Sequence, residues 1–201
     1  AKDRTQRATA ASQYANRHNP FVYFRSITGD PAYCKAHVKP LAPLSKDLEK
    51  TSTTRALTYI TPDLCHDAHD ATCADGGPGG LRAANNFFKT WVPKILRSPA
   101  YQQDGVLVIT ADESDGLTDS TGCCGEGPGP NADQPGIAGP GGGRVGALVI
   151  SKRFVAAGTT STTPYNHYAL LATLEDLFGL DRLGYARTVT HVFGSDVFKT
   201  S

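Results

Sequence analysis

Two short stretches of this 201-residue chain gather side chains able to bind metal ions and move protons. Residues 61–70 (TPDLCHDAHD) pack Asp63, His66, Asp67, His69 and Asp70 into one turn-rich segment after Pro62. Residues 111–116 (ADESDG) set Asp112 and Glu113 side by side, directly after the apolar run GVLVIT. Carboxylates suit a hard divalent cation, and imidazole together with carboxylate suits zinc. Adjacent carboxylates repel, and a bound cation offsets that repulsion. Plain turn chemistry for the first stretch and a solvated strand end for the second are the competing readings.

Other groups are weaker candidates. The acidic run DESDGLTD does not space its oxygens as an EF-hand calcium loop does. The run GGGR at residues 141–144 precedes a strand and has no Lys-Ser/Thr, so it reads as a flexible approach to the strand rather than a phosphate loop, with Arg144 free to meet an anion. His167 follows Thr163, Pro164, Tyr165 and Asn166 at the start of a helical pattern, a better placed histidine than His18, His37 or His191. Those three read as surface or packing histidines. Ser114, after the acidic pair, is disfavoured as a nucleophile.

The elements that must position these residues follow from periodicity. Residues 105–110 and 145–151 (VGALVIS) are continuous apolar runs of the kind found inside a mostly parallel sheet. Asp112 and Glu113 then fall at a strand's carboxyl end, where open α/β sheets bind ligands. Residues 21–24 and 56–61 read as further strands. Helical patterns cover residues 1–18, 41–50 (Leu41, Leu44 and Leu48 on one face) and 81–96 (Leu81, Ala84, Phe88, Trp91, Ile95), the last kinked or restarted at Pro93. Residues 165–178 read as a helix with Leu170, Leu171, Leu174 and Leu177 inward. The alternation predicts an α/β fold, a mostly parallel sheet with helices on both faces, in a single domain over residues 1–201. Residues 116–143, dense in Gly and Pro, are too long for an idle connection and read as a functional loop.

Composition narrows the class. Lys and Arg total 20 against 19 Asp and Glu, a net charge of +1, so nothing argues for electrostatic capture of nucleic acid. No apolar run approaches the length of a membrane-spanning helix. The five cysteines form no CxxC pair. Cys65 and Cys73 are the favoured disulfide, Cys34 is a competing partner, and buried reduced thiols are the alternative. Methionine is absent. The expectation is therefore a processed or partial chain, and loop-rich cysteines favour a secreted or cell-surface location.

The stretches NPFVYF, ITPDLCHDAHD, GVLVITADESDG, GPGGGRVGALVIS and TPYNHYALLATLEDLFGL together resemble the phosphoesterase family of phosphocholine-type phospholipases C and acid phosphatases, within the alkaline phosphatase superfamily. The resemblance implies an alkaline-phosphatase-like fold and metal-dependent hydrolysis of a phosphate ester, the substrate being a phosphomonoester or a phospholipid-headgroup diester. By the same resemblance Asp112 and Glu113 match the family's acidic pair and ligate the metal (Zn, Mn or Ca), and Asp63 joins them. His69, with Asp67 beside it to fix its tautomer, contacts phosphate or metal, and His167 matches the histidine of the C-terminal Tyr-x-His segment. The family's Glu-Asn metal pair and its nucleophile lie in an N-terminal half that has no counterpart here. The chain is thus expected to correspond to the C-terminal half of such an enzyme and to need that N-terminal segment as a partner. A non-catalytic, secreted binding protein of the same fold is the alternative.

Overall fold

Caps and prolines set most of the short helices. In the computed structural model, which describes residues 13–115, 118–129, 133–136 and 139–199, the chain forms two compact units, Ala1–Gln103 and Asp104–Ser201. In the first, Asn19 accepts a hydrogen bond from Phe21 N at 3.2 Å, and Pro20 opens a 3-10 turn over Pro20–Tyr23. The apolar run at residues 21–24 is therefore not the strand its composition predicts: a local Asn-Pro cap closes it into a turn before it can pair. Helix α1 spans Arg25–Thr28. Helix α2, Pro31–His37, starts where Asp30 Oδ1 accepts from Ala32 N and Tyr33 N at 2.9 and 3.0 Å. The helix expected over residues 41–50 is only the turn α3, Leu44–Asp47, although Leu44 and Leu48 are buried as expected. Of the helix expected over residues 1–18, residues 1–12 lie outside the described residues, and Asn16–His18 is a 3-10 turn. Residues 56–61 form no strand.

Helix α4, Gly80–Arg97, runs on through Pro93 as one helix. Its inward stripe is Ala83, Ala84, Phe87, Trp91 and Ile95, while Leu81 is 81% exposed and Phe88 also faces solvent. Lys94 Nζ sits 4.7 Å from the Trp91 ring centroid. Helix α5, Pro99–Asp104, follows Ser98, whose hydroxyl donates to the Ile95 carbonyl at 2.8 Å.

The second unit is built on strands β1, Leu107–Thr110, and β2, Ala147–Ile150. They pair with each other, and the pairing is antiparallel, with Leu107 opposite Ile150 and Thr110 opposite Ala147. Among the described residues this is the whole sheet, a mixed helix-and-sheet architecture rather than a mostly parallel sheet flanked by helices. Residues 116–143 carry the reason. A parallel pair needs a crossover, usually helical, back to the starting end of the sheet, and the described part of this loop contains no helix. The chain instead leaves and returns at one end, where Ser114 N donates to the Gly142 carbonyl at 2.8 Å.

Helix α6, His167–Phe178, is capped by Asn166, whose Oδ1 accepts from Ala169 N at 2.9 Å. It buries Ala169, Ala172 and Glu175; of the leucines expected inward, Leu170 and Leu174 are half-buried, while Leu171 is exposed and Leu177 is 72% exposed. Glu175 Oε1 accepts from Leu183 N at 3.0 Å, and the Tyr168 ring meets Tyr185 of the 3-10 turn Gly184–Thr188 edge-on at 5.4 Å. Both contacts draw the small-residue face inward.

Candidate functional site

In the first unit the acidic and imidazole groups of residues 61–70 are held by a disulfide and by the start of α4. Cys65 and Cys73 are joined, as the sequence favoured, and Cys34 is a free cysteine. Gly79 N and Gly80 N donate to the Ala71 and Asp70 carbonyls at 3.0 and 2.6 Å. A β-carbon at Gly79 would overlap the Asp70 carbonyl oxygen, so only glycine permits this approach.

Within that frame the turn forms three Asp–His pairs. His66 Nδ1 donates to Asp63 Oδ1 at 2.6 Å, and His69 Nδ1 donates to Asp70 Oδ1 at 2.8 Å. Asp67 Oδ2 lies 3.6 Å from His18 Nδ1, and Asp67 Oδ1 accepts from the backbone N of His69 at 2.9 Å. Asp67 therefore shapes the turn, and Asp70 is the carboxylate that orients the His69 ring. A side chain two residues before the imidazole is engaged by the backbone, whereas the adjacent one reaches the ring. With Nδ1 committed, His69 turns Nε2 outward on a side chain that is 60% exposed.

Two residues here carry no signal of their own in the sequence. Gln13 Nε2 donates to Asp70 Oδ2 at 2.6 Å and to the Thr72 carbonyl at 3.0 Å, and Gln13 Oε1 accepts from Ala74 N at 2.6 Å. The Gln13 amide, then His69, holds the Asp70 carboxyl below its ordinary value. His18, read as a surface or packing histidine, is brought by the fold against Asp67. Nothing at the level of spacing marks a contact across some fifty residues.

Ligand atoms of Asp63, Cys65 and His66 all lie within 4.8 Å of one another. The Cys65 sulfur is in the disulfide and is not a thiolate donor. Asp63 Oδ1 is taken by the His66 ring and, at 3.1 Å, by His66 N, which leaves Asp63 one carboxylate oxygen for a cation.

In the second unit the acidic pair follows β1 and is exposed. His167, the first residue of α6, donates from Nε2 to the Asp112 carbonyl at 2.7 Å, so the fold joins the predicted histidine to the predicted acidic pair. The bond fixes the Nε2–H tautomer of the neutral ring and leaves Nδ1 as an acceptor. The returning loop packs alongside: a β-carbon on Gly142 would stand 3.4 Å from Glu113 Cβ and 3.9 Å from the Asp112 carbonyl oxygen.

Asp119 anchors that loop. Its carboxylate accepts from Thr121 N at 3.0 Å, Thr121 Oγ1 at 2.7 Å and Arg144 N at 2.9 Å. These bonds, led by the one from Arg144, bring its carboxyl from 3.8 down to about 2. Ser114 Oγ donates to the Asp119 carbonyl at 2.8 Å, a structural hydroxyl in keeping with the reading that disfavours it as a nucleophile. Cys123 and Cys124 form a disulfide of adjacent residues, unanticipated in the sequence, with sulfurs 3.8 and 3.3 Å from the Tyr165 and Pro164 carbonyl oxygens just before α6.

The model of the phosphoesterase family covers residues 2–181, and the chain belongs to that family. It is 28% identical over 173 residues to a phosphate-repressible acid phosphatase of Penicillium chrysogenum, covering 86% of this chain and 35% of that protein. It is 25% identical to an acid phosphatase of Aspergillus niger, covering 88% of this chain and 35% of the relative. A phosphatidylinositol-3-phosphatase of Mycobacterium tuberculosis is 24% identical over 92% of this chain and 49% of its own length. The chain thus spans about a third of the fungal relatives and half of the mycobacterial one. No solved structure matches it.

Proposed function

We propose that these residues are part of a secreted, metal-dependent phosphoesterase that hydrolyses phosphate esters. The observation that carries this reading is the Asp112–Glu113 pair with His167 bonded to the Asp112 carbonyl, in a chain of the phosphoesterase family. The relatives' names as acid phosphatases add support for a phosphate ester as substrate. The two disulfides suit an oxidising compartment.

Two adjacent exposed carboxylates are a fitting donor set for a divalent cation. Asp112 and Glu113 are its proposed ligands; in the first unit, the free oxygen of Asp63 is proposed separately as a cation ligand. When bound, such a cation polarises phosphoryl oxygens and neutralises developing charge. His167 holds the backbone of Asp112 and so aims the acidic pair. His69, in the first unit, has its ring fixed by Asp70, and in its protonated form Nε2 can donate to a phosphoryl or leaving-group oxygen. The nucleophile is proposed to come from sequence beyond these 201 residues, since Ser114 is committed to Asp119. The same applies to the larger, mostly parallel sheet of a single α/β domain. Large apolar side chains left in solvent, Leu148 at 56%, Leu177 at 72% and Leu180 at 61%, support further chain packing on this one.

The test is made on the full-length natural protein. Chelation is expected to abolish hydrolysis of p-nitrophenyl phosphate and a divalent ion to restore it. Asp112→Asn and Glu113→Gln are each expected to lower kcat/KM by ~100-fold or more with the fold intact, as loss of a cation ligand does. Full activity in the presence of chelator, or in both variants, would refute the reading.

A further inference from the structure

The antiparallel pairing has a consequence for Arg144. In a parallel sheet the start of β2 and the end of β1 would lie at opposite ends. Here Thr110 is opposite Ala147, so Asp112, two residues after β1, and Arg144, three residues before β2, share one end. The loop confirms the neighbourhood from three sides. Ser114 N bonds the Gly142 carbonyl at 2.8 Å, Gly142 has no side chain between it and Glu113, and Arg144 N is held by Asp119 Oδ2 at 2.9 Å. The backbone of Arg144 is thereby fixed while its side chain is exposed, and its guanidinium makes no hydrogen bond or ion pair among the described residues.

We propose that Arg144 is a specificity-determining residue that binds the charged phosphoryl oxygens of the substrate beside the acidic pair and makes the site prefer dianionic phosphomonoesters over monoanionic diesters. This rests on the phosphoesterase reading and narrows its substrate class. A guanidinium is a planar fork that matches two phosphoryl oxygens at once, and it keeps its charge at every working pH. A monoester dianion offers such a pair of charged oxygens after one has been given to a cation. A diester, with two of its four oxygens esterified, has a single negative charge to share between cation and arginine. The three glycines before Arg144 pack closely against Thr121, Glu113 and Ser114, which holds the approach to Arg144 against the acidic pair, while its side chain is tethered only at its root.

The test compares p-nitrophenyl phosphate with bis(p-nitrophenyl) phosphate on the full-length protein with divalent cation present. Arg144→Ala keeps the backbone N–H that Asp119 anchors, so folding is expected to survive, and circular dichroism checks this. The variant is expected to lower kcat/KM for the monoester by ~10- to 100-fold, the range for a lost charge-assisted pair, and for the diester by less than about threefold. Inhibition by inorganic phosphate is expected to weaken alongside the monoester. Arg144→Lys, which keeps the charge and loses the fork, is expected to fall between. An unchanged monoester-to-diester ratio in a folded Arg144→Ala protein would overturn the role of Arg144 while leaving the phosphoesterase reading intact. An unsubstituted protein that hydrolyses neither ester would overturn both.

Discussion

Replacing Gln13 by alanine removes three hydrogen bonds at once, from Gln13 Nε2 to Asp70 Oδ2 and the Thr72 carbonyl, and from Ala74 N to Gln13 Oε1. The bond to the ionised Asp70 is worth about 1.5–3 kcal/mol, and each of the other two about 1 kcal/mol if buried. Both of those are exposed, so water replaces most of them. The expected loss is about 2–3 kcal/mol, dominated by the charged bond. Asp70 also gives the loss a pH signature. Its folded carboxyl titrates below 3.8, with Gln13 as the first cause, so its contribution is present above 3.8 and is lost as pH falls through the depressed value. Without Gln13 that depression shrinks. The stability gap between wild type and Gln13→Ala is therefore widest near neutral pH and narrows on acidification below about 4. Trp91, the single tryptophan, lies in the same unit and reports its urea unfolding by fluorescence. A loss under about 0.5 kcal/mol, the level of an ordinary surface substitution, would refute the reasoning. So would a gap that stays constant down to pH ~2, because the charged bond would then not be its source.

Two further outcomes follow from the second unit. Asp119, depressed to about 2, holds the loop that returns to β2, so the anchorage is complete above 3.8 and is lost as pH falls through about 2. Pepsin, normalised to an unfolded substrate, is expected to cut between residues 119 and 144 faster at pH ~2 than at pH ~4; equal cutting would count against the anchor. Asn166→Ala removes the cap of α6 and is expected to cost about 1 kcal/mol in thermal or urea unfolding, with Asn166→Asp retaining most of it. An Asn166→Ala protein as stable as wild type would show that packing of Ala169 and Ala172, not the cap, fixes the start of the helix.

Local pattern carried a large part of the structure. The apolar runs around Leu107–Thr110 and Ala147–Ile150 are strands, and Gly80–Arg97 and His167–Phe178 are helices near the expected bounds. Each is long or apolar enough that its own residues decide its type. The runs at residues 21–24 and 56–61 are short, and nothing in four to six residues outweighs a cap or a missing partner strand. Half of the leucine face expected of α6, Leu171 and Leu177, lies in solvent because Glu175 and the turn after the helix decide which side is covered.

The sequence by itself determined the chemistry on offer: an acidic pair after a strand, an Asp/His turn with Cys65 and Cys73 beside it, and membership of the phosphoesterase family. Tertiary structure decided who meets whom. Strand direction depends on how a long loop returns, and the antiparallel choice places Arg144 beside Asp112 and Glu113. The partner of His69 depends on which carboxylate the backbone leaves free, so Asp70, braced by Gln13, holds the ring while Asp67 closes the turn. Hydrogen bonds between residues far apart in sequence set these outcomes, and residue spacing does not encode them.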